Sequence, residues 1–126
     1  MADPLVTDRL GRGWYPLESG FRWMPRTASV RMPGPRTARQ RLYVTAICPA
    51  AQIRNGPLAM TVTVDGFRLP PAQFTKGNVE STFDFPLPPE TAGKSEIDIT
   101  VEVSRTVRVG ADLRDLGLAF GRFEIK

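Results

Sequence analysis

The sequence contains no histidine at all. Without imidazole there is no Ser-His-Asp or Cys-His apparatus and no histidine metal ligand. A single cysteine, Cys48, excludes an internal disulfide, so the fold must stand on packing alone. Cys48 closes the apolar run Leu42–Cys48 and reads as a small buried hydrophobe. No apolar run approaches the ~20 residues needed to cross a bilayer. The opening residues Met1 to Asp8 lack the charged-then-apolar order of a signal segment. The expected location is therefore cytoplasmic, with no membrane span.

Other absences narrow the chemistry further. There is no phosphate-cradling G-x-x-x-x-G-K-[ST] loop and no G-x-G-x-x-G fingerprint. Thirteen acidic residues are present, but no spacing singles out a glycosidase-like pair. Asp112 and Asp115 form a lone D-x-x-D, which is nearly uninformative for calcium. No catalytic residue, metal ligand or cofactor is assigned, and no enzyme activity is expected.

Helices are also missing. The best candidate, Ala111–Leu116, is one turn long and ends at Gly117, too short to hold in isolation. Period-two alternation is plain instead. It runs through Met60–Asp65 and through Ile97–Ser104, and it puts Val79, Phe83 and Phe85 on one face. The pattern predicts that Met60, Val62, Val64, Phe83, Phe85, Ile97, Ile99, Val101 and Val103 are buried. Thr61, Thr63, Asp98, Thr100 and Glu102 should face out. Leu42–Ile47 is apolar on both faces and predicts a central strand, while the phase change at Gly121 predicts a β-bulge. Shorter strands are expected over Gly13–Pro16, Phe21–Met24 and Ala28–Met32.

Twelve prolines and eleven glycines separate these runs instead of pooling, as turns between short strands do. Asp65-Gly66 between Val64 and Phe67 is a two-residue hairpin signal. About eight strands with no helical cover predict an all-β antiparallel sandwich of jelly-roll or Greek-key type. The 126 residues are expected to form one domain, with residues 1–11 as a flexible lead-in.

The net charge of +4 is uneven. Up to Arg41 the chain carries Arg9, Arg12, Arg22, Arg26, Arg31, Arg36, Arg39 and Arg41 against Asp3, Asp8 and Glu18. Such a segment can meet an acidic glycan, phosphate or nucleic acid. These arginines are scattered, never clustered, which suits ordinary solvated cations and argues against nucleic acid.

Two stretches are less generic. Gly13–Met24 holds Trp14, Tyr15, Glu18, Arg22 and Trp23. Aromatic faces stack on sugar rings, and Arg and Glu hydrogen-bond hydroxyls, so these five are the candidate ligand-binding residues. The alternative is that Trp14 and Trp23 fill the core and Arg22 pairs with an acid. The second stretch is Asp112–Phe120. There Asp112 or Asp115 can accept backbone N–H bonds, Gly117 can relieve a tight turn, and Asp115 can pair with Arg22.

Together these motifs carry a resemblance. G-W-Y-x-x-E followed by G-x-R-W-x-x-x-x-A matches Gly13, Trp14, Tyr15, Glu18, Gly20, Arg22, Trp23 and Ala28. V-x-V-D-G matches Val62, Val64, Asp65 and Gly66, and D-x-R-D-L-G matches Asp112, Arg114, Asp115, Leu116 and Gly117. Over roughly residues 12–125 the chain resembles a carbohydrate-binding-module-like β-sandwich appended to bacterial glycosyltransferases and other surface-polysaccharide enzymes. The resemblance implies a non-catalytic accessory domain that holds a glycan or glycolipid head group beside a partner enzyme domain. The competing reading is a structural or protein-interaction scaffold without a sugar site.

Overall fold

The computed structural model describes residues 17–18, 21–54, 56–108 and 116–126, with residues 17, 18, 21 and 22 described by backbone course only. The strands are β1 (Leu17–Glu18), β2 (Phe21–Trp23), β3 (Thr27–Met32), β4 (Arg41–Ile47) and β5 (Leu58–Val64). They continue with β6 (Phe67–Arg68), β7 (Ala72–Phe74), β8 (Glu80–Pro86), β9 (Ile97–Val103) and β10 (Ala119–Ile125). Among the described residues the helical content is two single 3-10 turns, Ala50–Ile53 and Pro89–Thr91, and no helix is long and apolar enough to cross a membrane.

The strands form two antiparallel sheets. One has the order β1-β2-β10-β4-β8. The other has the order β3-β9-β5-β6, with β7 also pairing β5. The short strands β6 and β7 lie end to end along β5, at Val64/Thr63 and at Met60–Leu58 respectively. Connections β2–β3, β3–β4, β4–β5, β7–β8, β8–β9 and β9–β10 all cross from one sheet to the other, the winding of a Greek-key sandwich.

Alternation decides which face goes inward. In β5 and β9 the pairs Met60↔Val103, Val62↔Val101 and Val64↔Ile99 are all buried. Ala28 and Val30 of β3 extend that apolar surface against Val101 and Ile99. The opposing sheet contributes Leu42, Val44 and Ala46, with Phe85, Phe120 and Phe123 beside them. Phe74 and Phe83 join the two sheets edge to face, with ring centres 4.8 Å apart. Asp98 and Glu102 are exposed, whereas Thr61, Thr63 and Thr100 are half-buried by their neighbours on the outer face.

Several sequence expectations take specific form. Strand β4 lies between β10 and β8, as its two-sided apolar character predicts. The β10–β4 register shifts between Phe120 and Arg122, which makes Gly121 the bulge. The β5–β6 hairpin turns through Asp65 (φ 48°) and Gly66 (φ 88°), the left-handed pair a two-residue hairpin requires. Two face assignments need correction. Val79 has the inward parity but lies before the first residue of β8 and is 46% exposed. The chain enters that strand through Asn78 (φ 60°), whose N–H donates to the Cys48 carbonyl at 2.8 Å. Phe83 is only half-buried, because β8 is the sheet's edge strand. The expected strand at Gly13–Pro16 and most of the one-turn candidate at Ala111–Leu116 lie outside the described residues.

Candidate functional site

Strand β2 pairs with β10 only at Ala119 and Phe120. Farther along β10, its last residues face the end of β3 and the loop that follows. Between them lies an open-mouthed cleft of about 290 Å³, lined by Met32, Pro33, Gly34, Arg36, Gln40, Phe123, Glu124 and Ile125. Met32, Phe123 and Ile125 belong to or pack against the hydrophobic core, so one wall is apolar. The polar lining comes from the 33–40 loop. That volume sits at the small end of ligand clefts, enough for one ring-sized group rather than an extended chain.

The loop holds its polar groups in place. Its backbone is tied to the 91–96 segment, where the Gly34 N–H donates to the Lys94 carbonyl at 3.2 Å and the Gly93 N–H donates to Pro35 at 2.8 Å. Gln40 Oε1 accepts from the backbone N–H of Arg36 at 2.5 Å and of Thr37 at 3.4 Å. Since Oε1 is thus committed as the acceptor, the Gln40 Nε2 carries the amide's donors, and no described residue accepts from them. Arg36 is exposed, and no hydrogen bond or ion pair among the described residues uses its guanidinium. Glu124 borders the cleft through its strand, but it lies opposite Tyr43 and turns its carboxylate to the outer face of the sheet. It lies 3.6 Å from Arg122 Nη1 and 3.8 Å from Lys126 Nζ.

Of the residues expected to bind ligand, Trp23 falls elsewhere. Trp23 ends β2 opposite Ala119, which in turn lies opposite Ile47. Phe120, next in β10, is buried in the core, so the row Trp23–Ala119–Ile47 lies on the outer face of its sheet. Trp23 is half-buried there. Arg22 takes the neighbouring register position opposite Phe120, and Glu18 pairs with Phe21 in the β1–β2 hairpin. Trp14 and Tyr15 lie outside the described residues, as do Asp112 and Asp115. Residues Ala119 and Phe123 are roughly 13 Å apart along the strand at ~3.3 Å per residue, and their side chains take opposite faces. Trp23 and the cleft are therefore separate surfaces. Tyr43, on the same outer face, has Lys126 Nζ 5.0 Å from its ring centre, which occupies one stacking face.

Sequence reasoning named none of the cleft residues as ligand-binding. Arg36 was legible as part of the basic segment, but nothing local marks Phe123 and Ile125 as its neighbours. Among the described residues no three His, Cys, Asp or Glu side chains gather as a metal set. Cys48 is fully buried, and burial pushes its thiol pKa up to about 11, against a smaller opposing effect from Arg105.

No family model matches the chain, and no curated protein matches it by sequence. Solved structures do match in shape. The C-terminal domain of EclA, described as a sugar-binding protein, aligns with TM-score 0.54 and 14% identity over 92% of this chain and 85% of that one. A family 35 carbohydrate binding module from an environmental isolate aligns with TM-score 0.50 and 14% identity, over 100% of this chain and 81% of that one. A family GH115 4-O-methyl-alpha-glucuronidase matches 84% of this chain with TM-score 0.50 and 13% identity, through 14% of its own length. The fold is that of carbohydrate-binding β-sandwich modules.

Proposed function

We propose that this chain is a non-catalytic carbohydrate-binding accessory domain, holding a glycan or glycolipid head group beside a glycosyltransferase or another surface-polysaccharide enzyme. The observation that carries the reading is the cleft. It offers a ring-sized space with an apolar wall from Met32, Phe123 and Ile125, together with donors on Arg36 and Gln40 that no described residue uses. A sugar presents that mixture, with C–H faces on one side and hydroxyls around the rim. Two sandwich domains of similar shape are named for sugar binding, which supports the reading. Trp14, Tyr15 and Trp23, with Glu18 and Arg22, are proposed as a second, stacking contact.

Screening the domain against a glycan array tests the proposal, paired with Trp14→Ala and Trp23→Ala. An exposed stacking ring should lower glycan affinity roughly 5- to 150-fold while leaving the thermal midpoint in place, taking ~1–3 kcal/mol per stacked ring. A core ring would instead cost about 3–5 kcal/mol of stability. Stability loss in both variants, with no glycan retained by the wild type, would favour a scaffold. Among the described residues the exposed large apolar side chains do not favour that alternative. Phe67 (47% exposed) sits just after the Asp65-Gly66 turn, while Val79 (46%) precedes β8 at the opposite end of the sandwich, so they do not form one patch.

A further inference from the structure

The charges around the cleft do not balance. Glu124, whose carboxylate lies on the outer face of β10, already has two cations, Arg122 and Lys126, within 4 Å. Arg41, at the other end of the 33–40 loop, is engaged by Asp84 at 2.7 Å. Neither Arg36 nor Arg39, both exposed, has a counter-charge among the described residues. Three acids on neighbouring segments are committed as well. Lys94 holds Asp65 at 2.8 Å, and Arg31 lies 3.0 Å from Asp98 and 3.6 Å from Glu96. Among the described residues the cleft therefore presents a local excess of positive charge beside an apolar wall.

The donor geometry agrees with the charge. Gln40 Oε1 is fixed by two backbone N–H groups of its own loop, so its Nε2 can only donate. Arg36 can only donate. Two donor-only groups, one of them cationic, suit an acceptor-rich anion, and a guanidinium matches the paired oxygens of a carboxylate or sulfate. A neutral pyranose, whose hydroxyls both donate and accept, would leave the positive charge of Arg36 unanswered.

Building on the carbohydrate reading, we propose that the cleft selects an anionic sugar unit. Its carboxylate or sulfate is held by Arg36 and Gln40 Nε2, and its ring rests on Met32 and Ile125, with the buried Phe123 behind them. Discrimination against the neutral sugar comes from Arg36. Because the guanidinium is solvent-exposed, its effect is about tenfold in affinity and weakens as salt screens it.

The test is an NMR titration of the isotope-labelled domain with methyl glucuronide, glucose 6-sulfate, methyl glucoside and inorganic sulfate. Amide signals of residues 33–40 and 122–126 are followed. One or both anionic sugars should shift these signals about ten times more tightly than methyl glucoside or inorganic sulfate, and which of the two binds distinguishes carboxylate from sulfate. Arg36→Gln should bring the anionic sugar down to the neutral level. Gln40→Glu keeps an oxygen for the loop N–H groups but replaces the donor with a negative charge, and it should lower binding at least as far. Unchanged thermal midpoints would show that both variants fold. Equal binding of methyl glucoside, insensitive to Arg36→Gln, would overturn the charge selectivity and leave the sugar reading intact. Inorganic sulfate binding as tightly as the anionic sugars would overturn it in favour of a bare anion site. Signals that never move, while an array glycan binds elsewhere on the domain, would remove the cleft assignment alone. Signals that never move with no array glycan bound would remove the carbohydrate reading as well.

Discussion

The Gln52 side-chain Nε2 donates to the backbone carbonyl of Arg105 at 3.1 Å, while the Arg105 guanidinium donates back to the backbone carbonyl of Gln52. Gln52 also donates to the carbonyls of Leu116 and Gly117 at 2.9 and 3.2 Å, and Arg105 donates to Gly56 and Pro57 at 2.7 and 3.2 Å. The pair thus stitches the 50–57 segment to both sides of the β9–β10 connection. Gln52 is 1% exposed, and its Oε1 accepts nothing among the described residues.

That asymmetry predicts unequal mutants. Gln52→Leu strands buried carbonyls without a donor and should cost about 1–3 kcal/mol. Arg105→Met should cost less, since Arg105 is only half-buried and water can reach the carbonyls it leaves. The double mutant should cost less than the sum, because each residue holds the other. Urea denaturation of the three variants measures all three values, and additivity would show that the two contacts are independent.

Gly117 is required by close approach. A Cβ there would lie 2.5 Å from the Pro25 carbonyl oxygen and 2.9 Å from Val103 Cγ2. Its own N–H donates to Met24 at 2.7 Å, so the backbone has little room to retreat. Gly117→Ala should destabilise the fold by roughly 1–3 kcal/mol or more through overpacking. A melting temperature within a degree or so of wild type would contradict this.

Asp65 links stability to pH. Burial opposes its charge, but the Asp98 N–H at 2.8 Å and the Lys94 ammonium at 2.8 Å more than offset that and hold its pKa below the ordinary carboxylate value. The unfolded chain then binds the proton more readily than the folded one. The contribution is complete above the ordinary aspartate pKa and is lost as pH falls through the lower folded value. Asp65→Asn keeps an oxygen for the Asp98 N–H and removes the charge. Its stability should therefore fall less steeply than wild type between about pH 5 and pH 2, as read by denaturation midpoints across that range.

Cys48 should be inert in the folded state. Burial and a pKa near 11 deny it both access and thiolate character at pH 8. An aromatic disulfide reagent should label it only at the rate of unfolding, and urea should accelerate that labelling. Fast labelling in buffer would mean that the 48–57 segment opens locally.

Much of the architecture was legible because burial in a half-wet sheet imposes a period of two. Leu58–Val64 and Ile97–Val103 announce both their conformation and their buried face, since a slip of one residue would expose every Val and Ile. Gly121 showed its bulge by the same logic, and Asp65-Gly66 its turn. The meaning of individual polar residues was not legible. Asp65 read as turn chemistry, yet its carboxylate also holds the Asp98 N–H, 33 residues away. Gly117 read as relief for a turn, but the close neighbours are Pro25 and Val103, brought near by strands distant in sequence.

The cleft is the clearest case. Nothing in Pro33–Gln40 marks it as a partner of Phe123–Ile125, because that meeting exists only where β10 runs past β2 and faces the end of β3. Local pattern determines what each strand must bury. Only the packed sheets decide which distant donors and apolar walls come together, because that depends on strand order and crossing, for which periodicity carries no information.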